Sequence, residues 1–150
     1  MYLAMMLAEA NPLNASEFIF PTLEVFHIVG FAMCVGTIAL VDFRLLGVGM
    51  THQKTADVAQ DVAPWTLVGL ALILLSGPLM FSSDPDMYYL NPAFQVKMVC
   101  FALALLFNYT IRRRVALRGG SGAAGKVVAA VSLLLWISVI FGGIFIAFTM

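Results

Sequence analysis

An acid and an imidazole open a long apolar stretch that covers residues 22–47. Glu24 and His27 are three positions apart, so on a helix they lie one turn apart on the same face. Ionisable side chains inside hydrocarbon are costly and mark ligand or proton sites. A neutral imidazole can ligate haem iron, and its second ring nitrogen then needs a partner, for which Glu24 is the nearest acid by sequence. His27 is therefore the predicted metal ligand.

The composition sets the environment of these two residues. The chain has 150 residues, of which 62% are hydrophobic and 11% charged, and its mean hydropathy is +0.99. Soluble domains are nearer half apolar and a quarter charged. The sequence therefore predicts an integral membrane protein whose main partner is the lipid bilayer. A net charge of zero argues against a nucleic-acid partner.

Four apolar segments are long enough to cross a bilayer, which needs roughly 20 helical residues. The predicted fold is an all-α, four-transmembrane-helix bundle in one domain, residues 1–150. Pro64 is expected at the start of the second helix, where its missing N–H costs nothing. Residues 1–20 are expected to lie on the outer membrane surface. The predicted spans cover about residues 22–41, 64–81, 94–111 and 127–148.

Basic residues predict the orientation. Seven of the eight lie in or beside the two loops that share one side of the membrane, and such loops are usually cytoplasmic. Both termini are therefore expected on the non-cytoplasmic side of a bacterial inner membrane. Asp42 and Arg44 are expected to pair at the end of the first span, and the run Arg112–Arg114 is expected to anchor the third span at the interface.

Depth in the membrane brings other polar residues level with His27. At about 1.5 Å per residue, His27 lies about 7 Å below the outer boundary, and Lys97 and Met98 about 5 Å below it. The matching positions of the second and fourth spans hold Ser76 and the pair Gly142–Gly143. Lys97 is expected to pair with a haem propionate or a quinone oxygen.

Small residues complete this predicted layer. Gly30 and Gly143 are expected either to allow close helix approach or to leave room for a flat ligand. His52 falls in a loop, so two histidines of one chain are not expected to hold one haem. A five-coordinate haem, a second ligand from Met98 or Met80, and a haem shared between two chains all remain open.

Three stretches of the chain resemble known membrane proteins: "HIVGFAMCVGTIALVDFRLLG", "PWTLVGLALILLSGPLMF" and "NPAFQVKMVCFALALLFNY". They resemble a family of small, uncharacterised bacterial four-span proteins. More distantly, residues 20–112 are similar to HemJ-type protoporphyrinogen oxidases and to copper-resistance D-type membrane proteins. The resemblance to the HemJ type implies haem b, with His27 and Lys97 as the functional pair.

Three functions follow as expectations. The first is a haem-b-binding redox protein that exchanges electrons with a quinone or a porphyrin-type substrate, with Lys97 and Glu24 as catalytic residues and His27, Met98, Gly30 and Gly143 around the cofactor. The second is a copper-handling protein, since histidine, methionine and cysteine ligands suit Cu(I). The third is a structural or assembly subunit of a larger membrane complex, or a homo-oligomer, joined through small-residue faces.

Overall fold

The computed structural model describes residues 13, 16–120 and 122–149, and these residues contain four long helices. Each is long and apolar enough to cross a bilayer, so the predicted all-α, four-span class is confirmed. Most of the predicted surface segment 1–20 lies outside the described residues. We name the helices span one (Ile19–Leu46), span two (Thr55–Ser83), span three (Pro92–Leu117) and span four (Ala123–Ile146).

Span two differs most from its prediction, because it begins at Thr55 and carries Pro64 inside the helix. The two turns before Pro64 are held by packing. Val58 is 2% exposed and, with Val62, lies in an apolar cluster with Val41 and Leu45 of span one. Burial of this face stabilises a helical conformation over residues 55–61, although their polar sequence, "TADVAQD", does not predict a membrane-spanning helix. The prediction that Pro64 starts the helix is therefore wrong.

Local sequence signals determine where span one ends and where span three begins. Span one stops at Gly47, whose φ of 80° is the left-handed conformation that glycine adopts readily. Span three starts after Asn91, whose side-chain oxygen accepts from the backbone N–H groups of Ala93 and Phe94 at 2.9 and 3.3 Å. The Asn91 amide also donates to the Ile146 carbonyl at 3.2 Å, which ties the start of span three to the end of span four.

The four helices pack in the order two, one, four, three. Span one contacts spans two and four, and span three contacts span four. Span two meets span three at both ends, through the segment Arg113–Leu117 and through the stacked rings of Phe81 and Phe94, whose centroids are 5.7 Å apart. In the middle of the bundle, Trp136 is 1% exposed, and the edges of Phe31 and Phe101 meet it at centroid distances of 6.3 and 6.1 Å.

The outer surface of the bundle is apolar. Large hydrophobic side chains are exposed on all four spans; examples are Phe26, Leu75, Leu106 and Leu134, each more than half exposed. A water-soluble domain of this size does not expose so much contiguous apolar surface. This surface is suited to lipid, and the architecture is that of a multi-pass membrane protein.

Candidate functional site

The His27 ring is held by span two. Its Nδ1 lies 2.9 Å from the Ser76 hydroxyl oxygen, and that hydroxyl lies 2.6 Å from the Leu72 carbonyl oxygen. A serine hydroxyl has one hydrogen, and a carbonyl can only accept. Ser76 therefore donates to Leu72 and accepts from the Nδ1–H of His27. In the neutral imidazole this tautomer leaves the lone pair on Nε2.

Glycine at position 77 lets span two lie directly against the imidazole. A Cβ atom at Gly77 would stand 3.4 Å from Cε1 of His27, so the ring already rests on bare backbone there. Together, Ser76 and Gly77 fix both the tautomer and the position of the ring. Within the described part of the chain, Nε2 has no hydrogen-bond partner. The ring therefore presents one nitrogen that is free to accept a proton or bind a metal.

Lys97 of span three lies across the glycine pair of span four. A Cβ atom at Gly142 would stand 2.9 Å from Cβ of Lys97, and one at Gly143 would stand 3.5 Å from its Nζ. The absence of a side chain at Gly142 makes room for the lysine, whereas a Cβ at Gly143 would be in ordinary van der Waals contact with it. Its side chain is half-buried, and its charge acts on His27. The structure thus shows two contacts, that of His27 with Ser76 and Gly77 and that of Lys97 with the glycine pair, and we call these residues together the His27 layer.

Glu24 lies apart from this layer. It is exposed, and the nitrogen it was expected to orient is bonded to Ser76. Its charge acts instead on Tyr88, which lies in the short helix Pro85–Tyr89. Burial, together with the carboxylates of Glu24 and Asp84, raises the pKa of the Tyr88 phenol above its ordinary value. The expectation that Glu24 orients the imidazole is wrong, because the rotation of span two puts a hydroxyl nearer.

Met98 and Gly30 also lie outside the layer, for different reasons. Met98 is 45% exposed, and as the neighbour of Lys97 it points about 100° away around the helix. Gly30 is buried against span two, where an added Cβ would come within 2.6 Å of Cβ of Leu72. Of the two roles expected for Gly30, the structure shows close helix approach and leaves no room for a flat ligand.

A second polar cluster, missed by the sequence analysis, joins spans one, three and four near their other ends. Asp42 is fully buried, and its two carboxylate oxygens accept from Nε of Arg112 at 2.5 Å and from the Ser132 hydroxyl at 2.6 Å. Arg112 also donates to the Asn108 side chain and to the Ile38 carbonyl, each at 2.6 Å. We call this set of five residues the Asp42–Arg112 network.

This network corrects two expectations about charged residues. Asp42 does not pair with Arg44, whose guanidinium donates to the Gln53 carbonyl at 2.6 Å. Arg112 is not an interfacial anchor, because it is 6% exposed, whereas Arg113 and Arg114 are exposed. The chain from Asn108 to Arg112 forms a turn of π-helix, a feature often found at functional sites.

The described residues offer no separate metal centre. Among them, no three histidine, cysteine or acidic side chains lie together in a way that could hold an ion. Cys34 is buried and Cys100 is partly buried, and both are free thiols. The amide nitrogen of Cys34 packs against Gly69. The histidine and cysteine side chains that suggested copper therefore form no such three-residue group in the described part of the chain.

Comparison with known proteins gives one match. A family model fits residues 18–149, which include all four spans. The chain belongs to DUF6644, a family of unknown function. No curated protein matches the chain, and no solved structure does. The more distant similarity to HemJ-type oxidases and copper-resistance D-type proteins has no support among these comparisons, and the family carries no activity to transfer.

Proposed function

We propose that this protein binds haem b through His27 in the outer half of the membrane and takes part in electron transfer with a quinone or a porphyrin-type substrate. The observation that carries the proposal is the bond between His27 and Ser76. It holds the ring in place and leaves Nε2 without a hydrogen-bond partner in the described part of the chain, and a neutral imidazole in this tautomer is the form of histidine that ligates iron. Intramembrane histidines with a fixed tautomer are usually functional.

The donor set of the layer suits this cofactor. His27 would ligate the haem iron, and Ser76 would hold the tautomer of the imidazole. Lys97 would pair with a propionate or a quinone oxygen, and Gly143 lies beside the lysine amine. Gly30 and Met98 have no part in this arrangement. When bound, haem would supply one-electron redox chemistry.

The orientation belongs to the proposal as well. Lys54, Arg113, Arg114, Arg118 and Lys126 are exposed near the ends of the spans remote from His27. Basic residues concentrate on the cytoplasmic side of bacterial membrane proteins. We therefore place the His27 layer in the outer leaflet of a bacterial inner membrane, with both termini on the non-cytoplasmic side.

The first test is a visible spectrum of protein purified in mild detergent after expression with ample haem. We expect a b-type spectrum, oxidised and dithionite-reduced, for the wild type and for His52→Ala, and its loss in His27→Ala. His52 is the matched control because it is the other histidine of the chain and lies in an exposed loop. A colourless wild type would overturn the proposal and leave an assembly subunit as the function to test.

Ser76 provides a finer test of the same site. Alanine there removes the acceptor for Nδ1–H and frees the ring to change tautomer, so we expect haem affinity to fall by about 10- to 100-fold. Ser138→Ala is the control, since that hydroxyl is exposed and bonds only within its own helix, to the Leu134 carbonyl. Equal haem retention by the two variants would show that Ser76 does not position the ligand.

A further inference from the structure

A shallow apolar groove runs between spans three and four, on the lipid-facing side of the bundle. Its volume is about 310 Å³, and its lining is almost wholly apolar. None of the residues that line it belongs to the His27 layer, so it plays no part in the proposed haem site. The residues that line it are Leu103, Leu106, Phe107, Thr110, Ile111 and Leu135.

Basic side chains stand at one end of this groove. Arg113 and Arg114 follow Thr110 and Ile111 along span three, so they lie beyond the end of the groove that these two residues line. Arg118 follows Arg114 by four residues. All three are exposed, and among the described residues the one ion pair is that of Arg112 with Asp42. The three guanidinium groups therefore have no carboxylate partner there.

We propose that this surface is a binding site for an anionic phospholipid. Its acyl chain would occupy the apolar groove, and its phosphate would pair with the guanidinium groups of Arg113, Arg114 and Arg118. Guanidinium groups bind phosphate through paired N–H donors, and an apolar groove that ends at such donors matches the two parts of a phospholipid. A zwitterionic lipid supplies the same chain but brings its own cation to the phosphate.

The test uses the full-length protein in mild detergent. Phosphatidylglycerol or phosphatidylcholine with identical acyl chains is titrated in, and the midpoint of thermal unfolding is followed. We expect the wild type to be stabilised more by phosphatidylglycerol. Each Arg→Gln change at positions 113, 114 and 118 should weaken the apparent affinity for that lipid by about fivefold. Lys54→Gln and Lys126→Gln remove exposed charges elsewhere and should retain wild-type affinity.

Two further arms separate the groove from the charges. Leu103→Trp fills the groove, leaves the three arginines in place and should weaken binding of phosphatidylglycerol. Glycerol phosphate, which has the charge without the chains, should give no stabilisation at the same concentration. Three outcomes would each overturn the proposal. They are equal stabilisation by the two lipids, an equal loss of affinity in the Lys54 and Lys126 controls, and full stabilisation by glycerol phosphate. None of these measurements depends on haem.

Discussion

Methionine in place of Arg112 is expected to lower the free energy of unfolding by about 3–5 kcal/mol, because it leaves a buried carboxylate without its cation. Asp42 is 0% exposed and lies in the membrane-spanning bundle, so water cannot replace the lost partner. The same change removes the donors to Asn108 and to the Ile38 carbonyl. Reversible unfolding in mixed detergent micelles would measure the loss.

Arg113→Met is the matched control, since it removes the same charge from the next residue, which is exposed. A surface change of this kind is expected to alter stability by no more than about 0.5 kcal/mol. If Arg112→Met and Arg113→Met unfold at the same detergent fraction, the Asp42–Arg112 network does not stabilise the bundle.

A double variant separates the cost of an orphaned charge from the value of the pair. Asp42→Leu combined with Arg112→Met replaces both charges by apolar groups, and such replacements are often neutral or stabilising. We expect the double variant to be more stable than Arg112→Met alone. A double variant that loses the sum of the two single effects would show that the residues act independently.

Much of the fold could be predicted from the sequence, because hydropathy and length are enough to identify a membrane-spanning helix. Which residues of neighbouring spans lie level with each other could be predicted as well, since the rise per residue is fixed. That is why His27, Lys97 and the Gly142–Gly143 pair were expected in one layer. Span four begins four residues and ends two residues before its predicted bounds, whereas span one begins three residues earlier and ends five residues later than predicted, at Ile19 and Leu46.

Rotation of the helices about their axes could not be predicted in the same way. The partner of His27 is Ser76 and not Glu24, because the contact between spans one and two turns the serine toward the ring. Nothing in the sequence of either span alone determines that contact. The start of span two was missed for a related reason, since Val58 and Val62 are stabilised by span one and not by local propensity.

The burial of Arg112 could have been predicted from the spacing of residues along span three, but not from the number of basic residues in the loop. Ala104, Asn108 and Arg112 recur at intervals of four residues, and all three are buried, so they form one inward face of span three. Treating Arg112–Arg114 as a uniform basic run hides the difference between its members. Asp42 follows Ile38 by four residues on the buried face of span one, which made an inward position predictable for it too.

Alanine at Gly30 is expected to destabilise the bundle by about 1–3 kcal/mol through overpacking. The added Cβ would meet the Gly69 carbonyl oxygen at 2.9 Å and Cβ of Leu72 at 2.6 Å, so spans one and two must move apart. Gly36→Ala is the control in the same helix, because no atom lies within 4 Å of its added Cβ. There, alanine should be neutral or stabilise by up to about 1 kcal/mol through helix propensity.

Separation of spans one and two has a consequence for the proposed site, because His27 and Ser76 come from these two helices. Gly30→Ala should therefore lower haem retention as well as stability, whereas Gly36→Ala should change neither for the worse. Gly69→Ala acts at the same contact, with its Cβ 2.6 Å from the Gly30 carbonyl oxygen. Once one alanine has moved the helices apart, the second causes less overlap. The Gly30→Ala, Gly69→Ala double variant should therefore lose less stability than the sum of the two single losses. Equal stability of Gly30→Ala and Gly36→Ala would mean that backbone contact between these spans does not set the geometry of the His27 layer.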